Sequence, residues 1–374
     1  MISKKIYYGM QYVDKKDIDA VKISLNKKLI TTGDSVVSFE KGIRNFTKSR
    51  YAISCSSGTA ALHIALFSIG LKSNDVIIMP VINFISSYAM ASHMKAKIYL
   101  ADVCPDSGHM RTEDLLKCIK DNKIKKIKSV INMYIGGGTK EIEKFYKLKK
   151  KFNFFLIEDA CHAFGSEYKI KEKLYRVGSC KHSDICTFSF HPLKSITTGE
   201  GGCLTTNNLN LAKKMQIFRS HGILRKSYQN YDIKNLGFNY RLSDINSALG
   251  LSQLKKLKSF VKKRQQIAKL YISKLKKISQ FIEIPDFEKN SSWHLFRVKI
   301  KKDKNKLINF LQRNHIFSQI HYKPINLFSF YKDKKKFINA EKYYKETLSL
   351  PIYYKLSNKN ILYICNLLKI YNQS

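Results

Sequence analysis

The chain has 374 residues, of which 44% are hydrophobic, and a formal net charge of +40. This length and composition predict a globular chain that buries a large core and forms two domains. The sequence contains no run of about 18 apolar residues, so no membrane span is predicted. The first residues lack the apolar segment of a signal peptide. Eight cysteines without the spacing of a small disulfide scaffold are typical of a reduced, cytoplasmic protein.

The positive charge comes mostly from lysines, which are spread along the chain in short clusters. A basic balance raises the question of nucleic-acid binding. The sequence carries no helix-turn-helix, zinc-module or RNP-type aromatic motif. We therefore expect a solvated lysine surface and no specific nucleic-acid partner, and charge-driven nucleic-acid binding stays open as an alternative function.

Two helical segments are predicted near the N-terminus, over 17–25 and 37–46. Between residues 51 and 206, short apolar runs alternate with helical patterns, which are predicted at 59–70, 86–94, 112–121 and 140–151. The strand candidates are Tyr51–Ser54, Val76–Met79, Lys97–Ala101, Ser129–Met133, Phe154–Glu158, Ile185–Phe190 and Cys203–Thr205. This alternation predicts an α/β fold with a mainly parallel sheet and helices on both faces.

The rest of the chain begins with an amphipathic helical pattern over 244–280, which we interpret as the link to a smaller C-terminal domain. In that domain, 292–300 and 315–322 are predicted strands, separated by a helix from about 305 to 313. The sequence thus predicts a large domain over residues 1–245 and a small one over 246–374.

An anion site is predicted where Ser-Cys-Ser-Ser-Gly-Thr-Ala-Ala-Leu precedes a regular helical pattern, at residues 54–62. Small residues at a helix start leave backbone N–H groups pointing outward, here those of Gly58, Thr59 and Ala60. The stretch lacks the residue order of a nucleotide P-loop or a dinucleotide fold. A phosphate on a small cofactor is the expected guest, and Ser189 is placed to add a hydroxyl.

Two further residues predict which cofactor carries that phosphate. Asp159 ends an apolar strand, and Lys194 lies between a strand and a glycine-rich turn. Pyridoxal phosphate needs a lysine to bind its aldehyde covalently and an acid to keep its pyridine nitrogen protonated. Taken singly, Asp159 also suits a helix N-cap and Lys194 a surface loop; together they predict a pyridoxal phosphate site with both residues catalytic.

Five ordered motifs carry a resemblance that covers nearly the whole chain. They are Ser-Gly-Thr-Ala-Ala-Leu-His from Ser57, Glu-Asp-Ala-Cys-His-Ala from Glu158, Phe-Ser-Phe-His-Pro-Leu-Lys-Ser-Ile-Thr-Thr-Gly-Glu-Gly-Gly from Phe188, Arg-Ser-His-Gly from Arg219 and Leu-Gly-Phe-Asn-Tyr-Arg-Leu-Ser-Asp from Leu236. Together they resemble the DegT/DnrJ/StrS family of nucleotide-sugar aminotransferases. The residues around Lys194 are most similar to the branch that aminates C4 of UDP-4-keto-6-deoxy sugars, as in pseudaminic acid biosynthesis.

The resemblance implies a fold-type I pyridoxal-phosphate fold with a seven-stranded sheet, and L-glutamate as amino donor. It implies that Phe84 stacks on the pyridine ring. His162 follows Asp159 on the same turn, and its position leaves two interpretations open: it contacts the phenolic oxygen of the cofactor, or it packs nearby as a structural residue. It also implies a homodimer with shared sites, in which Asn239 reaches the cofactor phosphate and Arg241 the nucleotide-sugar phosphate of the neighbouring subunit. His321 lies in a segment similar to the family's substrate-facing loop.

His191 lies three residues before the intact Lys194, and we expect it to face the substrate. Some relatives replace the lysine itself with histidine and dehydrate the sugar, so the intact lysine disfavours that reaction. Cysteines and histidines recur between 161 and 186, but without a Cys-x-x-Cys pair we expect no metal site.

One stretch departs from the family pattern. Met133 stands where the family carries a polar residue, and three glycines follow at Gly136–Gly138. This departure keeps a second interpretation open, in which the chain binds the cofactor without catalysis and acts as a regulator or scaffold.

Overall fold

The computed structural model describes residues 5–225, 227, 229–276, 280–333 and 335–373. The strands are β1 (Ile6–Tyr7), β2 (Tyr51–Cys55), β3 (Val76–Pro80), β4 (Lys97–Ala101), β5 (Ser129–Met133), β6 (Phe155–Asp159), β7 (Glu167–Ile170), β8 (Lys173–Arg176), β9 (Ile185–Ser189), β10 (Gly202–Thr206), β11 (Ile223–Arg225), β12 (Tyr231–Ile233), β13 (Ile282–Glu283), β14 (Phe296–Ile300), β15 (Ile316–Phe317) and β16 (Thr347–Leu350).

The helices alternate with these strands through the first half of the chain. They are α1 (Lys15–Leu25), α2 (Asp34–Thr47), α3 (Gly58–Ser68), α4 (Ser86–His93), α5 (Thr112–Asp121), α6 (Ile142–Phe152), α7 (Leu209–Arg219), α8 (Asp244–Leu275), α9 (Lys304–Arg313), α10 (Ile338–Glu346) and α11 (Asn358–Gln373).

The main sheet has seven strands in the order β2-β10-β9-β6-β5-β3-β4. Strand β10 runs antiparallel to both of its neighbours, and the pairs from β9 to β4 are parallel. A near-continuous apolar run is typical of a parallel strand covered on both faces, and every residue of β5 is buried. The predicted fold class, a mainly parallel seven-stranded α/β sheet, is confirmed.

Helix α3 illustrates how the sequence builds the site side of this sheet. Its sequence, Gly-Thr-Ala-Ala-Leu-His-Ile-Ala-Leu-Phe-Ser, is apolar on nearly all sides, and most of it is buried against α4, α7, β9 and β10. A helix that is hydrophobic all round belongs in an interior. Burial of α3 holds its N-terminus firmly at the edge of the sheet where β6 and β9 end.

A second hydrophobic core lies in the C-terminal part of the chain. It joins α8, α9, α11 and the three-stranded sheet β13-β14-β16, and Ile6 of β1 also packs into it. The N-terminal strand therefore crosses to this core and pairs in parallel with β15. The division into domains at residue 245 stays a prediction.

Three predicted elements of the C-terminal part are longer than those observed, whereas the helix predicted from about 305 to 313 matches α9. Helix α8 ends at Leu275 rather than 280, and residues 277–279 lie outside the described residues. Only Phe296–Ile300 of the strand predicted from 292 is extended in a ladder, because Trp293 has φ +50° and Ser292 bonds to Ser166 and His162 instead. The strand predicted over 315–322 is reduced to β15, and residues 319–322 line a cavity together with Asp159 and Lys194 instead.

Within the described part of the chain, no helix combines the length and the apolar composition needed to cross a membrane.

Candidate active site

A cavity of about 490 Å³ opens where β5, β6 and β9 end and α3 begins. In open α/β sheets, ligands bind outside the carboxyl ends of the strands. Asp159 and Lys194 both line this cavity. The full lining is Tyr8, Ser57, Gly58, Thr59, Leu62, Phe84, Ser86, Met133, Asp159, Cys161, His162, Ser189, His191, Leu193, Lys194, Glu200, His294, Gln319, Ile320, His321 and Tyr322.

The start of α3 forms the anion-binding corner of the cavity. Ser57 is the N-cap, and its hydroxyl accepts a hydrogen bond from Ala60 N at 3.1 Å. Gly58, Thr59 and Ser189 line the cavity beside it. A Cβ atom on Gly58 would lie 2.8 Å from Ser189 Cβ, so a glycine is required for the helix start to approach the end of β9 this closely.

The structure therefore brings together three of the four residues predicted for the phosphate, Gly58, Thr59 and Ser189. Ala60 is set back: its N–H already bonds to Ser57, and among the described residues it is not part of the cavity lining. Ser57 was missed, although Ser before Gly-Thr-Ala at a helix start is the residue type expected for an N-cap.

Asp159 is the last residue of β6 and is only 2% exposed. Its Oδ2 accepts a hydrogen bond from Ser87 Oγ at 3.3 Å, and its Oδ1 accepts one from Cys161 N at 3.2 Å. Two donors from different elements hold the carboxylate at the cavity wall. A carboxylate held in this way can keep a ring nitrogen protonated.

Lys194 is half-buried, and its backbone N donates to His191 O at 2.9 Å. Burial lowers the pKa of its amine below the ordinary value of 10.5, and the positive charge of Arg264 acts in the same direction, while Cys161 and Asp159 oppose the shift. A lower pKa increases the fraction of neutral amine, which is the form that attacks an aldehyde and accepts a proton.

His162 is 2% exposed and makes two hydrogen bonds. Gly136 N donates to its Nδ1 at 3.2 Å, and its Nε2 lies 2.9 Å from Tyr322 Oη. Burial holds the pKa of His162 well below its usual range, and the charge of Lys194 adds to this effect. The neutral ring must therefore carry its proton on Nε2 and donate it to Tyr322, which leaves the hydroxyl proton of Tyr322 available to a ligand.

The three-glycine departure has a structural reason in this arrangement. Gly136 has φ +74°, and a Cβ atom there would lie 2.9 Å from Arg297 Nε. A glycine thus lets the loop pass Arg297 and still present its N–H to His162. Met133, the other departure, ends β5 and lines the cavity.

Phe84 and two of the predicted substrate residues lie around the same cavity. Phe84 is 51% exposed, and its ring centroid lies 5.7 Å from that of Tyr322. His321 is buried, and its Nδ1 bonds to Ser349 Oγ at 2.9 Å. His191 is exposed and lines the opening.

Asn239 and Arg241 lie elsewhere. Asn239 is exposed and forms an isolated bridge with Ser220, whereas Arg241 lines a separate cavity of about 260 Å³ with Glu40 and Arg219. Among the described residues, the lining of the Lys194 cavity contains neither of them. That Asn239 and Arg241 contact ligands in the active site of a neighbouring subunit stays a prediction.

Apart from His321, sequence reasoning missed the part of the cavity formed by Tyr8 and by residues 294–322. Tyr8, His294, Gln319 and Tyr322 all line it, but they come from segments far apart in the sequence. Tyr322 could have been found from the sequence because it follows the predicted His321. No feature of the sequence marked His294 or Tyr8 as cavity residues. In the described ranges, no group of three His, Cys, Asp or Glu side chains is arranged to hold a metal ion.

Comparisons with known proteins agree with this geometry. The model of the DegT/DnrJ/EryC1/StrS aminotransferase family matches residues 11–369. A UDP-4-amino-4,6-dideoxy-N-acetyl-beta-L-altrosamine transaminase of Campylobacter jejuni is 36% identical over 368 residues, which cover 96% of this chain and 95% of that protein.

Two solved structures extend the likeness to the fold. Helicobacter pylori PseC, an aminotransferase involved in the biosynthesis of pseudoaminic acid, has a TM-score of 0.92 at 31% identity, covering 99% of this chain and 100% of its own. The sugar aminotransferase Spr1654 of Streptococcus pneumoniae, in its PLP-form, has a TM-score of 0.90 at 25% identity and covers 99% of each chain. The resemblance found in the motifs is confirmed, and this chain belongs to the DegT/DnrJ/EryC1/StrS aminotransferase family.

Proposed function

We propose that this chain is a pyridoxal-phosphate-dependent aminotransferase that moves the amino group of L-glutamate to the C4 keto carbon of a UDP-activated 4-keto-6-deoxy sugar. The observation that carries the proposal is the placement of Lys194 and Asp159 in one cavity with the start of α3. The Campylobacter jejuni relative, named for a UDP-amino sugar, supports the choice of substrate class.

The residues present fit the cofactor. The corner formed by Ser57, Gly58, Thr59 and Ser189 suits its phosphate, since a Cβ atom at Gly58 would displace Ser189 from that corner. Asp159 suits the pyridine nitrogen and Lys194 the aldehyde, while Phe84 supplies an exposed aromatic ring for stacking. When bound, pyridoxal phosphate would supply an electron sink for the carbon from which a proton is removed.

Three residues of the chain have separate roles in the proposed reaction. Lys194 Nζ, whose pKa burial lowers, removes the proton from the α-carbon of glutamate and later delivers one to C4 of the sugar. Asp159, fixed by Ser87 and Cys161, keeps the ring nitrogen protonated. Tyr322 donates its hydroxyl proton to a ligand oxygen, because His162 already occupies its acceptor side.

The remaining features of the proposal concern the assembly. We propose a homodimer in which Asn239 and Arg241 reach the partner's site, with Arg241 binding the diphosphate through its planar fork. His191 and His321, which both line the cavity, would contact the sugar. The chain acts in the cytoplasm, where its lysine-rich surface attracts the doubly charged nucleotide sugar without binding nucleic acid specifically.

The test is to supply purified protein with pyridoxal phosphate and L-glutamate and to screen UDP-, dTDP- and GDP-4-keto-6-deoxy sugars by mass spectrometry. The proposal predicts an amino sugar on UDP and one 2-oxoglutarate for each amine formed. Turnover only with a dTDP or GDP sugar would contradict the nucleotide. Absence of 2-oxoglutarate with every sugar would contradict catalysis and favour a regulator or scaffold.

A further inference from the structure

The side chain of one histidine of the cavity has no hydrogen-bond partner among the described residues, although its backbone O accepts from Arg264 Nη1 at 3.1 Å. His294 lies just before β14, lines the cavity and is only 5% exposed. Its Nδ1 is shielded from solvent and makes no hydrogen bond. Within the described ranges its Nε2 makes no hydrogen bond either, but this nitrogen is not shielded from solvent in the same way. The two neighbouring histidines differ in this respect, because His162 bonds to Gly136 and Tyr322 and His321 bonds to Ser349.

An unpaired imidazole at this depth is costly. A buried polar group without a partner loses its hydration and gains nothing in return, so such groups are rare and call for an explanation. Nor is His294 placed there as a cation: burial holds its pKa well below the usual range, and the positive charges of Lys194 and Arg264, with His321 and His191, act in the same direction. The ring of His162 packs against it at 4.2 Å between centroids.

The neutral state defines the kind of group that His294 can bind. A neutral imidazole presents one donor and one acceptor. A carboxylate only accepts hydrogen bonds and would use one side of the ring, whereas an alcohol donates and accepts and can use either nitrogen. His294 lines the same cavity as Lys194, so a substrate bound there can contact both residues.

We propose that His294 binds a ring hydroxyl of the sugar in the nucleotide-sugar substrate. This inference rests on the proposed function and deepens it by assigning a residue to the sugar rather than to the nucleotide or the amino donor. The ligand hydroxyl supplies the hydrogen bond that the protein itself does not supply. His294 is therefore a residue that selects the substrate at the expense of stability of the ligand-free enzyme.

Binding measured by calorimetry tests the assignment. Wild type and His294→Phe, both loaded with cofactor, are titrated with UDP and with UDP-4-amino-4,6-dideoxy-N-acetyl-altrosamine. Loss of one hydrogen bond to the sugar should weaken binding of the UDP-amino sugar about tenfold in the variant and leave binding of UDP unchanged. His294→Gln, which keeps a donor and an acceptor, should recover part of the lost affinity.

A second readout does not depend on the ligand. Replacing an unpaired buried imidazole by a ring of similar shape removes its desolvation cost, so His294→Phe should raise the midpoint of thermal unfolding of the ligand-free protein. His109→Gln is the matched control: His109 is also buried, but its Nε2 bonds to Gly138 O, and it lines a different cavity. It should lower the midpoint and leave the sugar affinity unchanged.

The outcomes distinguish an error in the proposed function from an error in the role of His294. If wild type binds neither UDP nor the UDP-amino sugar, both the proposed function and the role of His294 are wrong. If wild type binds the UDP-amino sugar and His294→Phe binds it equally well, only the role of His294 is wrong. A lowered unfolding midpoint in His294→Phe would likewise contradict the unpaired state of the ring.

Discussion

The cavity has two walls of different origin. The sheet wall, formed by Asp159, Ser189, Lys194 and the start of α3, consists of residues at the ends of β6 and β9, in the turn that follows β9 and at one helix start. The histidine wall, formed by His294, His321 and Tyr322, consists of residues outside the strands and helices in the C-terminal part of the chain. The sheet wall carries the charged groups, whereas the histidine wall carries neutral donors and acceptors.

This difference indicates a division of labour. Charged groups at fixed sheet positions suit a cofactor that every reaction cycle shares. Neutral hydrogen-bonding groups on connecting segments suit recognition of a substrate, which differs among proteins of one fold. The two walls meet in the hydrogen bond between His162, which follows β6, and Tyr322.

The largest effect is expected on the sheet wall from Lys194→Ala. Without the amine, neither covalent cofactor binding nor proton removal is possible, so turnover should fall by at least about 10³-fold and the yellow absorbance of the bound cofactor should be lost. Absorbance and single-turnover assays measure this. Lys181→Ala, which removes an exposed lysine, should match wild type; a yellow, active Lys194→Ala enzyme would refute the assignment of the lysine.

The next largest effect is expected from Asp159→Asn. An amide does not hold the proton on the ring nitrogen as a carboxylate does, so turnover should fall roughly 10²- to 10³-fold while some cofactor stays bound. Asp184→Asn is the matched control. Asp184 lies just before β9, at the end of that strand away from the cavity, and its carboxylate accepts a hydrogen bond from Leu156 N. Near-normal turnover in Asp159→Asn would remove Asp159 from the mechanism.

A smaller effect is expected on the histidine wall from Tyr322→Phe. The variant loses one hydrogen-bond donor, so amination of the sugar should slow about tenfold. The half-reaction with glutamate should keep its rate, because it does not involve the sugar. Stopped-flow measurement of the two half-reactions tests this, and equal slowing of both would place Tyr322 at the cofactor instead.

The smallest effect on turnover is expected from Glu158→Gln, on the opposite side of β6 from Asp159. Burial raises the pKa of Glu158 from 4.5 to about 7, although Tyr134 Oη donates to its carboxylate at 2.7 Å. Because the folded state binds the extra proton, wild-type stability should decrease as pH rises from 4.5 to 7, by about 3 kcal/mol at most.

Glu158→Gln should remove this pH dependence while turnover stays close to that of wild type. Chemical denaturation of both proteins at several pH values measures it. A wild-type stability that rises over the same pH range relative to the variant would contradict the raised pKa.

The sheet wall could be predicted from sequence because its residues stand at recognisable places. Apolar runs predicted all seven strands of the main sheet to within two residues, and Asp159 was placed at a strand end. Parallel topology then brings the carboxyl ends of β6 and β9 to one edge, so Asp159 and Lys194 were expected to meet.

The histidine wall could not be predicted in the same way. His294 precedes β14 at a point where Trp293 takes φ +50°, and no periodic pattern marks that conformation. The segment after β15 was predicted as a strand, yet His321 in it bonds to the side chain of Ser349 and the segment forms the cavity wall. Contacts between residues far apart in the chain decide these positions, and a local pattern does not record such contacts.

The most direct test of the account is to locate the cofactor on the chain. Purified enzyme is incubated with pyridoxal phosphate, the linkage is reduced with borohydride, and the digested peptides are mapped by mass spectrometry. The account predicts one modified residue, Lys194, and no modification when L-glutamate is added before reduction. A label on another lysine, or no label in a folded protein, would contradict it.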